Sequence, residues 1–339
     1  MLALRFFPCL LLGWFIFYAP RALSQSFCEL GDFALENGQI IKQCRIGYRT
    51  FGRLNEDKNN AILFPTYFTG KSDALRSYVG GKGKMLDSTR YFIILTDALG
   101  NGVSSSPSNS TLQAGREFPL FTIADMVRTQ EAMIRKQWGI EKLHAVIGIS
   151  MGGMQAFQWM AAFPAKVGKM ISLVGTPKLG FSDLLLWQSE IQPIEKALQT
   201  NGNLQQAMET TVLIHAYALY TPSWRNKNQK TADFQSFVQA EIQKSASFYP
   251  LDWAWQAKAM MAHNAYKTLP LDKLGELLKA RGLIVYASQD LMVSPQACAD
   301  LVQYSGAEHI VLTDDCGHLA TGCNMGRISE RVQAFLQKQ

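Results

Sequence analysis

The sequence predicts an α/β fold in which a mostly parallel central sheet carries helices on both faces. Short, uniformly apolar runs alternate with helical patterns from residue 61 onward, and such strands are typical of parallel sheets buried on both sides. The alternation stops between about residues 178 and 275, where the sequence is helical and rich in Gln, Ala, Trp and Met, and then resumes. We therefore expect one α/β core, residues 25–177 and 276–339, interrupted by a helical cap insertion of residues 178–275.

Hydrophobic periodicity and turn residues give the order of the elements. An Asn37-Gly38 turn between two strand-like runs predicts a hairpin over about residues 27–50. Apolar residues at helical spacing predict a helix that begins at Thr122. The glycine-rich segment 76–87 predicts irregular structure. The other predicted strands are 61–65, 91–96, 143–149, 169–174, 283–287 and 308–313, and the other core helices are 151–162, 295–304 and one from 326.

The N-terminus has the pattern of a secretory signal peptide. Arg5 precedes an apolar run over residues 6–19, and small residues follow at Ala22 and Ser24. We predict that residues 1–24 are cleaved after Ser24, which implies a secreted or periplasmic protein. The alternative, an uncleaved membrane anchor, is disfavoured because the run is short against the ~20 residues of a membrane span. No later segment is apolar enough to span, so we expect no stable membrane span after cleavage.

Composition excludes several classes of protein. With 47% hydrophobic and 18% charged residues, the chain of 339 residues is too apolar to be disordered. Its formal charge of +6 falls by two when Arg5 and Arg21 leave with the signal peptide. So small a charge gives no reason to expect a nucleic-acid partner. The oligomeric state stays open, with a homodimer as one option.

The cysteines suggest disulfides rather than a metal site, because an exported protein can keep disulfide bonds. Cys28 and Cys44 flank the hairpin turn nearly opposite each other, so we predict a bridge between them. Cys316 and Cys323 can pair with each other, or one of them with Cys298, and one thiol is left over. No CxxC or HxxxH pair occurs, so we predict neither a metal site nor a cofactor.

The sharpest motif is GISMG at residues 148–152, between a predicted buried strand and a predicted helix. A serine in a strand–turn–helix of this kind sits on a turn so tight that small residues must flank it, and its hydroxyl stands above the sheet. The following helix directs its N-terminal N–H groups toward negative charge that develops there. The motif therefore predicts Ser150 as a nucleophile.

A serine nucleophile needs a base to take its proton and an acid to orient that base. Asp290 and His318 each follow the end of a predicted strand on the side of the sheet where Ser150 lies, in the expected chain order. The alternative is that both are ordinary polar loop or capping residues. The other candidates fit less well: Asp314 and Asp315 share the loop of His318, Asp300 is on a helix, His144 and His309 begin strands, and His215 and His263 lie in the insertion.

An oxyanion site requires two preorganised backbone donors. We expect the N–H of Met151, directly after the nucleophile, and a second N–H from the loop after strand 61–65. That second donor is Phe68 or its neighbour Tyr67. Thr69 and Gly70 in the same loop are equally well explained as turn residues.

Longer motifs surround these residues: YFTG at 67–70, LDSTRYFI at 86–93, FPLFTIADMV at 118–127, and GIEKL at 139–143 running into GISMGGMQ at 148–155. In these stretches the chain resembles the homoserine O-acetyltransferase branch of the α/β-hydrolase superfamily, well over residues 28–175 and moderately over 280–320. The resemblance implies the α/β-hydrolase fold, with Ser150, Asp290 and His318 at the triad positions and Phe68 and Met151 at the oxyanion positions.

Two departures from the acetyltransferases bear on the substrate. Where the family has an aspartate after the catalytic histidine, this chain has Leu319. The family arginine that pairs with the carboxylate of the amino acid has no counterpart in residues 184–191 (LLLWQSEI). A site that lacks both charges pairs neither end of a zwitterionic amino acid. An exported protein is also separated from cytoplasmic acetyl-CoA.

These features favour an exported serine hydrolase that acts on a small-molecule ester of a fairly apolar acyl group through an acyl-enzyme. One alternative is an O-acyltransferase of the homoserine O-acetyltransferase type, and a second is a non-catalytic binding protein with the same fold. Apolar residues of the insertion either line an acyl pocket or form the core of the cap: Trp187, Trp253, Trp255, Met260 and Met261. A glycosylation sequon at Asn109 matters only in a eukaryotic host.

Overall fold

The structure is a computed structural model that describes residues 24–338. The predicted signal peptide, apart from Ser24, therefore lies outside the described residues. Within the described part of the chain, no helix combines the length and the apolar character that a membrane crossing requires.

A mixed sheet of eight strands organises the chain, in the order β1-β2-β6-β3-β7-β8-β9-β10. The six strands from β6 to β10 in that order run parallel, whereas β2 is antiparallel to both β1 and β6. A separate pair, β4 with β5, is short and parallel. The strands are β1 (Ser26–Ala34), β2 (Ile40–Phe51), β3 (Ala61–Pro65), β4 (Val79–Gly80), β5 (Leu86–Asp87), β6 (Phe92–Thr96), β7 (Leu143–Ile149), β8 (Val167–Leu173), β9 (Gly282–Ala287) and β10 (Glu308–Leu312).

The helices lie on both faces of this sheet, as predicted. They are α1 (Ile123–Trp138), α2 (Met151–Ala162), α3 (Phe181–Thr200), α4 (Leu204–Leu219), α5 (Pro222–Asn228), α6 (Phe234–Ser245), α7 (Pro250–Met261), α8 (Leu271–Arg281), α9 (Gln296–Ser305), α10 (Ala320–Cys323) and α11 (Met325–Gln337). Apolar residues of α1, α2, α8 and α9 belong to one buried cluster, and those of α11 belong to the other.

The central strands are uniformly apolar because both of their faces are covered. In β7, Val146 belongs to the cluster on one face, and its neighbours Ala145 and Ile147 belong to the cluster on the other. Successive side chains of a strand point to opposite faces, so a strand between two helical layers needs apolar residues at nearly every position. The α/β prediction is confirmed on this basis.

Local signals explain where α1 begins and ends. Thr122 precedes the helix, its hydroxyl accepts from the N–H of Asp125, and its own N–H donates to the Asp125 carboxylate, each at 3.1 Å. This reciprocal pair satisfies two donors that would otherwise lack partners. The helix stops at Gly139, which takes the left-handed conformation with φ 58°.

Six helices, α3 to α8, fill the segment between β8 and β9, where the sequence showed no strand runs. Backbone contacts bring the two ends of most of this segment together. Lys178 pairs with Asn264 in an isolated antiparallel bridge, and the N–H of Ala265 donates to Pro177 O at 2.8 Å. The helices between these points therefore leave and rejoin the core at one place.

The predicted bridge between Cys28 and Cys44 is wrong, and both are buried free thiols. The hairpin register pairs Cys28 with Ile46 and Cys44 with Gly31, with irregularities on either side of Gly31. The two cysteines are therefore diagonal neighbours rather than partners across the strands. Diagonal pairs are about 7–8 Å apart between Cα atoms, which is beyond the usual span of a disulfide.

Candidate active site

The turn at Ser150 has the geometry of a nucleophile elbow. Ser150 joins β7 to α2 with φ 54° and ψ −119°, a conformation that a residue with a side chain rarely adopts. A Cβ at Gly148 would lie 1.9 Å from Gly152 O, and a Cβ at Gly152 would lie 2.7 Å from Pro65 O. Both glycines of the motif are thus required by close backbone contact, as the sequence indicated.

Three side chains predicted from distant parts of the sequence meet at this turn. His318 Nε2 lies 2.8 Å from Ser150 Oγ, and His318 Nδ1 lies 2.7 Å from Asp290 Oδ2. Each of the three residues is at most 7% exposed. A carboxylate accepts only, so Nδ1 carries the proton and Nε2 is free to accept the serine proton. The arrangement has the connectivity of a Ser-His-Asp triad.

The loop after β9 fixes the orientation of Asp290. Asp290 Oδ1 accepts from the N–H groups of Met292 and Val293, both at 2.9 Å, which leaves Oδ2 for His318. The next N–H, of Ser294, donates to Asp183 Oδ1 at 2.8 Å. Asp183 belongs to α3, so the helical segment between β8 and β9 holds the loop that carries Asp290. Burial raises the pKa of Asp183, and the negative charge of Asp290 raises it further.

His318 lies in a short loop closed by two cysteines. The sulfur atoms of Cys316 and Cys323 are 2.04 Å apart, at bonding distance, and Cys298 is a separate buried thiol. Asp314 accepts from the N–H of Cys316 at 3.0 Å and from the amide of Asn324 at 2.6 Å. One ligand atom from each of Asp314, Cys316 and Cys323 lies within 4.8 Å of the others, but the sulfurs are joined rather than free.

The competing acids and bases are occupied elsewhere. Asp315 pairs with Lys227, and Asp300 accepts from Gln296. His144, near the start of β7, hydrogen-bonds to Leu336 O, and His309, near the start of β10, hydrogen-bonds to Ala307 O. Burial lowers the pKa of His263 to about 4. Among the described histidines, His215 is the one besides His318 that reaches the cavity above Ser150.

The predicted oxyanion donors belong to the start of α2 and to the loop after β3. Met151 N begins α2, and Phe68 N belongs to the loop after β3; within residues 24–338 neither N–H has a hydrogen-bond acceptor. The next residue, Thr69, has φ 58°, and its N–H donates to Gln256 Oε1 at 2.8 Å. Gln256 Nε2 in turn donates to Leu99 O at 2.9 Å. A fully buried residue of α7 therefore holds the loop after β3 in its strained conformation.

Sequence reasoning did not find Gln256, nor a second glutamine that supports the same loop. Gln155 Nε2 donates to Thr66 O at 3.0 Å, and its Oε1 accepts from Gln130 at 2.6 Å. Gln130 also accepts from the indole of Trp159 at 2.8 Å. The one available signal was polar residues inside otherwise apolar helices, which does not reveal their partners.

A cavity of about 400 Å³ opens above Ser150 and His318, within the size range of small-molecule sites. No Asp, Glu, Lys or Arg is among the described residues that line it. Leu319, which replaces the family aspartate, is part of the lining. The lining residues are Tyr67, Phe68, Thr69, Tyr78, Ile149, Ser150, His215, Leu219, Tyr220, Met292, His318, Leu319, Thr321, Gly322 and Cys323.

The apolar residues predicted to line either a pocket or the cap core are not among these lining residues. Trp187 and Trp253 are buried, and their rings pack edge-on against Phe68 with centroids 4.9 and 4.8 Å away. Trp255 donates to Phe118 O at 2.9 Å. All three tryptophans thus belong to the buried core, and Trp187 and Trp253 pack against Phe68 in the loop after β3.

The fold and the geometry of the site point to an enzyme of the hydrolase type, and comparison with known proteins agrees. The model of the alpha/beta hydrolase fold family matches residues 76–321. The chain belongs to this family, and it is an α/β hydrolase or a related acyltransferase.

Similar proteins include both activities. A probable esterase of Corynebacterium glutamicum is 30% identical over 312 residues, which cover 86% of this chain and 88% of the relative. A homoserine O-acetyltransferase of Geotalea daltonii is 37% identical over 164 residues, which cover 43% of this chain and 44% of the relative. The solved structure of the acetyl esterase MekB aligns with a TM-score of 0.85 at 26% identity, covering 94% of this chain and 98% of that one. The predicted resemblance is therefore confirmed.

Proposed function

We propose that this chain is an exported serine esterase that forms an acyl-enzyme on Ser150. The observation that carries the proposal is the continuous hydrogen-bonded chain from Ser150 through His318 to Asp290 at the base of a cavity. In this proposal His318 is the general base and acid, and Asp290 orients it. The N–H groups of Met151 and Phe68 hold the oxyanion.

The reaction proceeds in two halves. Ser150 Oγ attacks the acyl carbon while His318 Nε2 takes its proton, and the carbonyl oxygen becomes the oxyanion. Collapse breaks the ester bond, and the proton passes from His318 to the departing alkoxide, which leaves as an alcohol. A water then attacks the acyl-enzyme with His318 again as base. The acid is released, and Ser150 regains its proton.

The cavity lining favours a neutral ester as substrate. No Asp, Glu, Lys or Arg among the described residues is positioned there to pair with an ionic substrate group, and Leu319 stands beside His318. A buried ionic group without a partner is costly. The two esterase relatives, one named as an acetyl esterase, support hydrolysis of a short acyl ester.

Export and domain organisation are part of the same proposal. Residues 1–24 act as the signal peptide, and the mature protein is secreted or periplasmic. The paired sulfurs of Cys316 and Cys323 support an oxidising location. Residues 178–275 act as a cap over a core of residues 25–177 and 276–339.

Acyl transfer is the second candidate, and the similarity to homoserine O-acetyltransferases favours it. The first half-reaction is the same, and an alcohol or amine replaces water in the second. Products formed with added ethanol, glycerol, or acetyl-CoA plus homoserine separate the two candidates. Ester turnover that added acceptors leave unchanged supports hydrolysis.

The test of the nucleophile uses the purified mature protein and a fluorophosphonate probe. Wild type labels at Ser150 and hydrolyses p-nitrophenyl acetate, and Ser150→Ala does neither. Asp290→Asn lowers kcat by about 10⁴-fold, the known scale for loss of the orienting acid. The matched control is Asp315→Asn, which changes a partly exposed loop aspartate paired with Lys227 and keeps the wild-type kcat. Labelling of Ser150→Ala at the wild-type rate would refute the assignment.

A further inference from the structure

A second histidine faces the cavity of the proposed triad. His215, on α4, lines the cavity and has 20% of its side chain exposed. Its Nδ1 lies 3.2 Å from both carboxylate oxygens of Glu190, on α3. Equal distances fit one N–H that is shared between two acceptors. The Glu190 side chain is fully buried.

The surroundings of His215 hold the ring in place. Its centroid is 5.0 Å from that of Trp253 in an edge-on contact, 5.8 Å from Phe68 and 6.1 Å from Trp187. Thr211 donates to the backbone oxygen of Glu190 at 2.8 Å, which ties α4 to α3 at the same level. Burying a polar pair inside an aromatic cluster costs free energy. The presence of the pair therefore favours a role for it beyond packing.

The orientation of the His215 ring leaves its Nε2 available to a ligand. Nδ1 is engaged by Glu190, whereas Nε2 makes no hydrogen bond within residues 24–338. A neutral imidazole with its proton on Nδ1 accepts at Nε2, and an imidazolium donates there. A hydroxyl group is a good partner in both states, because it can donate and accept.

The charge of the His215–Glu190 pair favours a neutral partner over an anionic one. A neutral His215 beside the Glu190 carboxylate gives a net charge of −1, and an imidazolium gives zero. In the first state the pair repels a carboxylate, and in the second the charge of Glu190 offsets the attraction of the imidazolium. The ligand group is therefore neutral.

We propose that His215, held by Glu190, is a specificity-determining residue that binds a hydroxyl group of the substrate. The enzyme would then prefer neutral esters that carry a hydroxyl near the scissile bond, in the acyl or the alcohol part. This inference rests on the proposed esterase function and deepens it.

The test compares esters that differ only in a hydroxyl and a methyl group. On the alcohol side the pair is 2-hydroxyethyl acetate and propyl acetate, and on the acyl side it is methyl 3-hydroxybutanoate and methyl 3-methylbutanoate. The readout is the ratio of kcat/KM for the hydroxy ester to that for its isostere. For at least one pair, wild type shows a ratio of one or above, although an apolar cavity would disfavour the hydroxyl.

The variant is His215→Phe combined with Glu190→Leu, which removes both members so that no charge is left buried. The phenyl ring keeps the aromatic contacts. We expect the ratio to fall about tenfold, the effect of one hydrogen bond in a closed site. The matched controls remove the tyrosine hydroxyls of the residues that line the cavity: Tyr67→Phe, Tyr78→Phe and Tyr220→Phe. They leave the ratio at its wild-type value.

Each result decides the inference. An unchanged ratio in the double variant, or a loss that follows a tyrosine instead, overturns the role of His215. If the double variant does not fold, the wild-type ratios decide: values below one for both pairs overturn it. Failure of the proposed function looks different, because neither ester of any pair is then hydrolysed and Ser150 is not labelled.

Discussion

Gln256 offers the most direct test of how the insertion supports the proposed chemistry. It lies on α7 and makes no contact with the triad in the hydrogen-bond network, yet it accepts from the N–H of Thr69 and donates to Leu99 O. Replacement by Leu removes both bonds and leaves the part-buried N–H of Thr69 and the buried carbonyl of Leu99 without partners. Each such group costs about 1–3 kcal/mol in the free energy of unfolding.

The expected kinetic effect follows from the position of Thr69. Its left-handed backbone is next to Phe68, the second proposed oxyanion donor. Complete loss of one such donor typically lowers kcat by about 10²- to 10³-fold. Gln256→Leu loosens the donor without removing it, so we expect kcat to fall about 10- to 100-fold. KM changes less than about threefold, because Gln256 does not line the cavity.

The assay is steady-state hydrolysis of p-nitrophenyl acetate, together with the rate of fluorophosphonate labelling. The matched control is Gln158→Leu, which removes another buried glutamine, one that donates to Thr268 at 2.9 Å. It lowers stability but leaves kcat near the wild-type value. If kcat of Gln256→Leu lies within twofold of that control, then Gln256 is only structural and the reasoning is refuted.

Three further predictions concern stability. Gly148→Ala places a Cβ 1.9 Å from a backbone oxygen and should abolish folded protein, whereas Gly326→Ala meets open space and should keep the wild-type melting temperature; similar melting of the two would contradict this. Replacing Cys316 and Cys323 by Ser opens a loop with a sequence separation of 7, so denaturant unfolding should show a loss of about 2 kcal/mol and a lower kcat, and unchanged values would argue against the bridge. Burial raises the pKa of Asp252 to about 6 against about 3.9 in the unfolded chain, so the folded state holds the extra proton and the free energy of unfolding falls as pH rises from about 4 to 6. The free energy of unfolding of Asp252→Asn should not show this decrease, which is on the order of 2 kcal/mol in the wild type. Parallel pH profiles for the wild type and Asp252→Asn would disprove the prediction.

Sequence alone predicted the elements whose signals are local. The uniformly apolar run of β7 and the close glycines beside Ser150 require no knowledge of distant residues. Asp290 and His318 were found because each follows directly after a strand of a parallel sheet, where loops converge at one edge. The four-residue pair β4–β5, in a segment predicted to be irregular, was too short to give a pattern.

The residues that sequence missed act through tertiary contacts. Gln256 is 187 positions from Thr69, and His215 is 25 positions from Glu190, so neither pair has a spacing that marks it. The cysteines failed for a different reason. Counting outward from the turn placed Cys28 against Cys44, but a two-residue offset is enough to turn a facing pair into a diagonal one.

The backbone bridge between Lys178 and Asn264 makes the helices between these residues exchangeable as a block. A foreign segment inserted at this bridge would join two backbone points that already lie in contact. Such a transplant would leave Ser150, Asp290 and His318 in place. It would nevertheless carry away Asp183, which holds the loop of Asp290, together with Gln256, Glu190 and His215. Recombination at this junction would therefore alter turnover and substrate choice in one step. A protein that acquires a different cap in this way must regain contacts that support its proposed oxyanion loop.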